Sequence, residues 1–165
     1  MKRLALILVL AAAACGPGSP GGPTMTNKVG GGGPTSSMSA VVSADILSRE
    51  PLVNVASVKH ILISWNDLSE AFNGHQDPRA QKRSKAEAET QVKALLEQLK
   101  TGGDFEALMK ADSEDIGSAQ SNRAFTVTPD AQLVIEFRQL SLRLNVGEYG
   151  VCQSDFGFHI IKRYE

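Results

Sequence analysis

The chain has 165 residues, of which 42% are hydrophobic and 21% charged, with a formal net charge of −1. That is room for one domain with appendages, at a composition ordinary for a globular protein. The near-zero charge excludes a global basic field for nucleic acid, and the two cysteines, with no CxxC or Cys/His spacing, exclude a disulfide framework and a zinc motif.

The N-terminus reads as an export signal over residues 1–14. Lys2 and Arg3 are followed by an unbroken apolar run over 4–10, four alanines and then Cys15. The run is shorter than the roughly 20 residues a membrane-spanning helix needs, and small residues at the end suit a cleavage site. A cysteine after small residues resembles a bacterial lipobox. In that reading Cys15 is acylated, becomes the new N-terminus and holds the protein on the cell membrane or outer membrane, facing the periplasm or exterior. Ala12 stands where lipoboxes usually carry leucine; the alternative is ordinary cleavage after an Ala-x-Ala site, which frees the protein.

Residues 15–50 read as a linker. The stretch 16–44 is rich in Gly, Pro, Ser and Thr, includes the run Gly30-Gly31-Gly32-Gly33-Pro34, and has almost no large apolar residue to bury, which predicts disorder. A Gly/Ser-rich coil of about 30 residues spans on the order of 30 Å. The folded domain is expected over 51–165, as an α+β unit.

Within it, 57–65 reads as a strand, with Val58, His60 and Leu62 on one face and Lys59, Ile61 and Ile63 on the other. Residues 66–83 read as a long polar loop whose basic residues, Arg79, Lys82 and Arg83, are taken as solvated. Ser84 and Glu87 form a capping box for a helix with Val92, Leu95, Leu96 and Leu99 on its buried stripe, stopped by Gly102-Gly103. Asp104 caps a short helix over 105–111, and 112–123 reads as a polar loop. Asp130 is expected to cap a third helix, with Leu133, Phe137, Leu140 and Leu144 at helical spacing. Two strands, about 149–154 and 158–164, finish the chain around Gly157. Cys152 is expected as a free, half-buried strand residue.

Five pieces, in order, now make a resemblance: Val58 to Ile63; Gly102-Gly103-Asp104-Phe105 with Ala107-Leu108; Ser113-Glu114-Asp115 with Gly117-Ser118-Ala119; Val146-Gly147-Glu148; and Phe156-Gly157-Phe158-His159-Ile160-Ile161-Lys162. Together they resemble a parvulin-type peptidyl-prolyl cis-trans isomerase (rotamase) domain over 55–165. The resemblance implies a four-stranded antiparallel sheet surrounded by helices and a shallow groove for a proline-containing segment. It implies no metal or other cofactor, proline-containing unfolded or exported polypeptides as partners, and a monomer. The positions matching the family's polar network are His60, Asp115, Ser154 and His159. Those matching its proline pocket are Leu133 and Phe137, with Phe125 on the same groove.

Each residue has a plainer reading beside the catalytic one. Two histidines bonded across a sheet also lock a fold, and a helical stripe containing Leu133 and Phe137 is by default core. One departure bears on activity. Where the family carries Gly-Gly-Asp-Leu-Gly, this chain has Asn122-Arg123-Ala124-Phe125-Thr126, so this segment is expected to take a different path. The main expectation is an isomerase assisting folding at the cell envelope; the alternative is a catalytically weak module serving as a peptide-binding chaperone, and an inert adaptor ranks last.

Overall fold

The computed structural model describes residues 38–165; the export signal, Cys15 and the linker up to residue 37 lie outside them. Ala44–Leu47 forms a single-turn helix, α1, and Ala56–Ile63 the first strand, β1. Two 3-10 segments, Asn66–Phe72 and Ala80–Lys82, occupy the long loop. Then come α2 (Lys85–Lys100), α3 (Phe105–Asp112), α4 (Ile116–Ser121), β2 (Phe125–Val127), α5 (Ile135–Ser141), β3 (Tyr149–Ser154) and β4 (Gly157–Arg163).

The strands make one antiparallel sheet in the order β2-β1-β4-β3. The period-two pattern of β1 sorts its residues onto two cores. Ile61 and Ile63, with Val151, Phe158 and Ile160, pack under α2 and α3 against Val92, Leu95, Phe105 and Met109. Val58, with Val127, Cys152 and Ile161, packs under α5 against Phe137, Leu140 and Leu144. The capping box at Ser84 and the Asp104 cap form as the sequence predicts.

Three local expectations change. Asp130 does not cap α5, which begins at Ile135 without a side-chain cap; its carboxylate instead accepts from the Thr128 hydroxyl at 2.6 Å. Residues 116–121, read as loop, form α4, with Asp115 as N-cap accepting from the Ser118 N–H at 3.3 Å. Cys152 is fully buried rather than half-buried, and burial pushes its thiol up, away from the reactive thiolate.

The ordered chain also reaches further back than residue 51. Val41 and Ile46 are buried, the first under the α2–α3 side and the second under the α5 side. Ser43 docks on the free edge of β3: its N–H donates to the Val151 carbonyl at 2.9 Å, and its hydroxyl accepts from the Val151 N–H at 3.0 Å. Sparse apolar residues among small ones gave this segment a linker's composition, yet two well-placed side chains suffice to seat it.

Strands β3 and β4 are joined through Asp155 and Phe156, with Ser154 opposite Gly157. Gly157 has φ of +134°, and a Cβ there would lie 2.6 Å from the Ile63 carbonyl oxygen. Backbone strain of this kind costs about 1–3 kcal/mol before any clash is counted. Gly157→Ala is therefore expected to lower the unfolding free energy read from a urea titration by at least that amount, with a matching fall in the midpoint. An unchanged midpoint would mean that the turn relaxes freely.

Candidate functional site: a histidine pair beside an aromatic groove

Register builds the site. His60 faces Ile161 and His159 faces Leu62 across β1 and β4, so the two histidines are diagonal neighbours on the sheet face that α5 covers. A one-residue slip would send them to opposite faces. Their Nδ1 atoms lie 3.1 Å apart with rings stacked at 19°, and both residues are buried. His60 Nε2 lies 2.9 Å from Asp115 Oδ2, and His159 Nε2 lies 2.8 Å from Ser154 Oγ. All four polar residues singled out from the sequence thus join one chain of hydrogen bonds.

The proton positions follow from that chain. The Asp115 carboxylate only accepts, so a neutral His60 carries its hydrogen on Nε2 and leaves Nδ1 to accept from His159, whose Nε2 then accepts from the Ser154 hydroxyl; the Ser154 oxygen also accepts from the Phe156 N–H at 3.1 Å. Burial, reinforced by His60, pushes His159 down to about 3, which keeps it neutral with a single N–H. That hydrogen sits on Nδ1 and is donated to His60 Nδ1. The proton of His60 then lies on Nε2 and points at the Asp115 carboxylate. The bond from His60 holds Asp115 well below the usual carboxylate range, against the opposing effect of burial. Every bond runs in one direction, from the turn at Phe156 to a fixed negative charge at the rim of the groove.

The sign of the pH dependence follows. Unfolded, His159 titrates near its ordinary value of 6.5; folded, near 3. Between these values the unfolded chain binds the extra proton, so this group removes stability as pH falls from 6.5 toward 3 and contributes nothing further above 6.5. The slope is at most about 1.4 kcal/mol per pH unit. Urea midpoints taken at steps between pH 7 and 4 should show it, and His159→Gln should flatten it; an identical slope in the variant would remove His159 as its source.

Asp115 is placed by its neighbours. The Glu114 N–H donates to the Leu62 carbonyl at 2.9 Å, and the Ser113 hydroxyl accepts from the Leu62 N–H at 3.1 Å, so the loop is stitched to the end of β1. Glu114 is buried, accepts from the Ser64 N–H at 2.6 Å and pairs with Arg83 at 2.6 Å; burial pushes its carboxyl up, against the opposing guanidinium. Arg83 is therefore a strut rather than a solvated loop residue, and Arg79 is held by Asp77 and by the carbonyls of Ala111 and Ser113.

The apolar half of the site is a groove of about 240 Å³ beside the histidines, with Phe125, Leu133, Val134, Phe137 and Phe156 among its walls. Phe137 is buried and meets His60, His159 and Phe125 edge-on at centroid distances of 5.2, 5.6 and 5.8 Å. Phe125 meets His60 at 5.3 Å, with the Arg123 guanidinium 5.1 Å over its outer face. Leu133, Phe137 and Phe125 therefore converge as the sequence suggests. Phe156, which the sequence shows only as part of the C-terminal motif, also lines the groove, brought there by the pairing of β3 with β4. The departure at residues 122–126 is accommodated, since Asn122 takes the left-handed conformation (φ +53°) that a glycine adopts most easily, and Phe125 to Val127 still pair with β1. Among the described residues no three His, Cys, Asp or Glu side chains gather as a metal site.

A four-stranded antiparallel sheet in this order, with a histidine pair under one helix and an aromatic groove beside it, defines a rotamase-type domain. The chain belongs to the family described as the PPIC-type PPIASE domain, whose model matches residues 44–165. It is 27% identical over 122 residues to the foldase protein PrsA of Geobacillus kaustophilus, covering 73% of this chain and 43% of that protein. It is 38% identical over 106 residues to the chaperone SurA of Pseudomonas aeruginosa, covering 64% of this chain and 22% of that protein. The matched stretch is thus less than half the length of either relative. In fold it resembles the peptidyl-prolyl isomerase ESS1 from Candida albicans, with a TM-score of 0.58 at 20% identity over 68% of this chain and 63% of that one.

Proposed function

We propose that this chain is a peptidyl-prolyl cis-trans isomerase that acts non-covalently on X-Pro bonds of exported polypeptides. Rotation about a prolyl amide faces a barrier of about 18–20 kcal/mol, set by C–N double-bond character. The enzyme has only to bind the twisted amide better than either planar form, and each 1.4 kcal/mol or so of that preference gives about tenfold in rate. In this reading Phe125, Leu133 and Phe137 grip the pyrrolidine ring, which favours the twisted amide because it is less dipolar than the planar one. Asp115, at the end of the hydrogen-bond chain, faces the rotating carbonyl. His60, His159 and Ser154 act through it as positioning residues. The observation that carries the reading is the contact of the Phe137 ring with both histidines, which joins the apolar and polar halves at one point.

The deciding measurement is the exchange rate of Ala-Pro peptides, by NMR, with and without the purified chain. Acceleration supports the isomerase. None, with the chain folded, leaves the peptide-binding chaperone, a reading favoured by the replaced glycine segment at residues 122–126 and by relatives named foldase and chaperone.

The address is part of the proposal. The charged start, apolar run and alanines before Cys15 support export with a lipid on that cysteine. Mass spectrometry of the membrane fraction should find Cys15 acylated, and Cys15→Ala should release the protein; an unmodified Cys15, or processing before it, would favour ordinary signal cleavage.

A further inference from the structure

Helix α5 has two working faces. Phe137, Leu140 and Ser141 are buried toward the sheet, while Ile135, Arg138, Gln139 and Leu142 follow one another at helical spacing on the opposite side. That outer side borders a concavity of about 280 Å³, walled by Pro51, Val53, Ile135 and Leu142 and by the guanidiniums of Arg138 and Arg143. It shares no lining residue with the groove beside the histidines. We infer that this outer groove binds an extended, proline-free segment of a partner polypeptide in which an acidic residue is flanked by large apolar ones. The inference goes beyond the isomerase reading and does not depend on it.

The groove is held in shape by the fold. The segment before β1 is tied to the end of α5, since the Leu52 N–H donates to the Leu142 carbonyl at 2.8 Å and Arg143 Nε donates to the Arg49 carbonyl at 2.6 Å. Walls fixed in advance reduce the ordering cost of binding. Ile135 is nevertheless 57% exposed, and Leu52, between Pro51 and Val53, is 49% exposed. Large apolar side chains turned to solvent around a concavity favour a partner that covers them.

The charge of the groove is unanswered from within the fold. Among the described residues neither Arg138 nor Arg143 forms an ion pair, whereas Arg49, Arg79 and Arg83 each do. Arg138 Nη1 donates to the Pro129 carbonyl and Arg143 Nη1 to the Gln139 carbonyl at 3.0 Å. Arg138 Nε is buried with no acceptor at all. No acidic side chain and no lysine lines the groove. Asp130, which feels the charge of Arg138, has its carboxylate held by the Thr128 hydroxyl. The bonds to the Gln139 and Leu142 carbonyls also blunt the negative end of the α5 dipole.

These features select the occupant. A carboxylate supplies the missing charge and matches the planar fork of a guanidinium. Apolar neighbours of that carboxylate cover Ile135 and its surroundings, and the exposed side-chain amides of Asn54 and Gln139 can pair with a peptide backbone. Residues 1–37 of this chain contain no Asp or Glu, so its own N-terminal segment does not supply the acid. A flat anionic membrane is a poorer match, because it attracts protruding basic side chains, whereas these two arginines are half-buried in a concavity. With no wall in common, the outer groove and the groove beside the histidines can be filled at the same time.

The test titrates the full chain with three proline-free peptides, Ser-Leu-Glu-Leu-Ser and its Gln and Lys counterparts, followed by NMR and calorimetry. The Glu peptide is expected to bind, to shift the amides of Val53, Ile135, Gln139 and Arg143, and to bind roughly tenfold or more tightly than the Gln peptide; the Lys peptide should not bind. Arg138→Gln and Arg143→Gln should erase the difference between Glu and Gln. Because either could loosen the fold, Ile135→Ser, at an exposed position, is the second variant; it should weaken the Glu peptide severalfold and leave the exchange rate of Ala-Pro peptides unchanged. An excess of Ala-Pro peptide should not displace the Glu peptide. Equal affinity for the three peptides, no binding of any, shifts confined to residues around the histidines, or displacement by Ala-Pro would each overturn the inference. So would binding only to inorganic phosphate or to phosphatidylglycerol vesicles, or self-association of the chain that Ile135→Ser abolishes. None of these outcomes bears on whether the chain isomerises prolyl bonds, which the exchange rates decide separately.

Discussion

Asp115→Ala is expected to yield a folded chain that isomerises X-Pro peptides roughly 10- to 100-fold more slowly. The magnitude comes from what the carboxylate does. It accepts from His60 at 2.9 Å, and a hydrogen bond to a charged group contributes about 1.5–3 kcal/mol, which is 10- to 100-fold if the contribution is made in the transition state. Removing it also leaves the His60 N–H without its acceptor and frees the whole chain of bonds back to Ser154 to reverse. The helix cap on α4 is lost at the same time, for a further 1 kcal/mol or so of stability. Asp115→Asn separates the effects, because its one amide oxygen can keep the Oδ1 cap on α4 while an NH2 group replaces the Oδ2 that accepts from His60. A slow Asn variant with near-normal stability would assign the rate to the carboxylate that accepts from His60 rather than to the cap. Full activity in both variants would remove Asp115 from the mechanism.

Phe137→Ala should be the most disruptive single truncation of the site. The ring is buried, fills the space between α5 and the sheet, and touches both histidines and Phe125. Truncating a buried phenylalanine costs about 3–5 kcal/mol, which for a small domain lowers Tm by roughly 10 °C or more. Activity should be lost with it, since the wall that grips the ring of proline is removed. Phe137→Leu keeps most of the volume and should recover most of the stability, but not the edge-on contacts to the imidazoles. If that variant is stable and as active as the parent, Phe137 is core and nothing more.

The legibility of this chain was uneven, for physical reasons. β1 could be read because Val58, Ile61, Leu62 and Ile63 crowd a short stretch that is buried on both faces, and α2 because a capping box and an apolar stripe agree. The pairing of His60 with His159, 99 residues apart, could not be read from spacing at all; it came from a resemblance, and the β1–β4 register supplies the geometry. α4 was hidden because Gly117, Ser118 and Ser121 carry no apolar period, and what starts it is a cap by the same aspartate that serves the site. Asp130 misled in the opposite way, since an aspartate before an apolar stripe signals a cap but a neighbouring threonine claims its carboxylate.

The docking of Ser43 on β3 has a consequence for how the sheet behaves among unfolded chains. An open strand edge is a template on which another extended polypeptide can grow. Here Val151, in the middle of β3, has both its backbone groups engaged by Ser43, and the opposite edge of the sheet, β2, is only three residues long. A protein working on incompletely folded substrates would be exposed to constant risk of capture by them. With the middle of one margin engaged and the other only three residues long, the sheet offers little length on which another extended chain could pair.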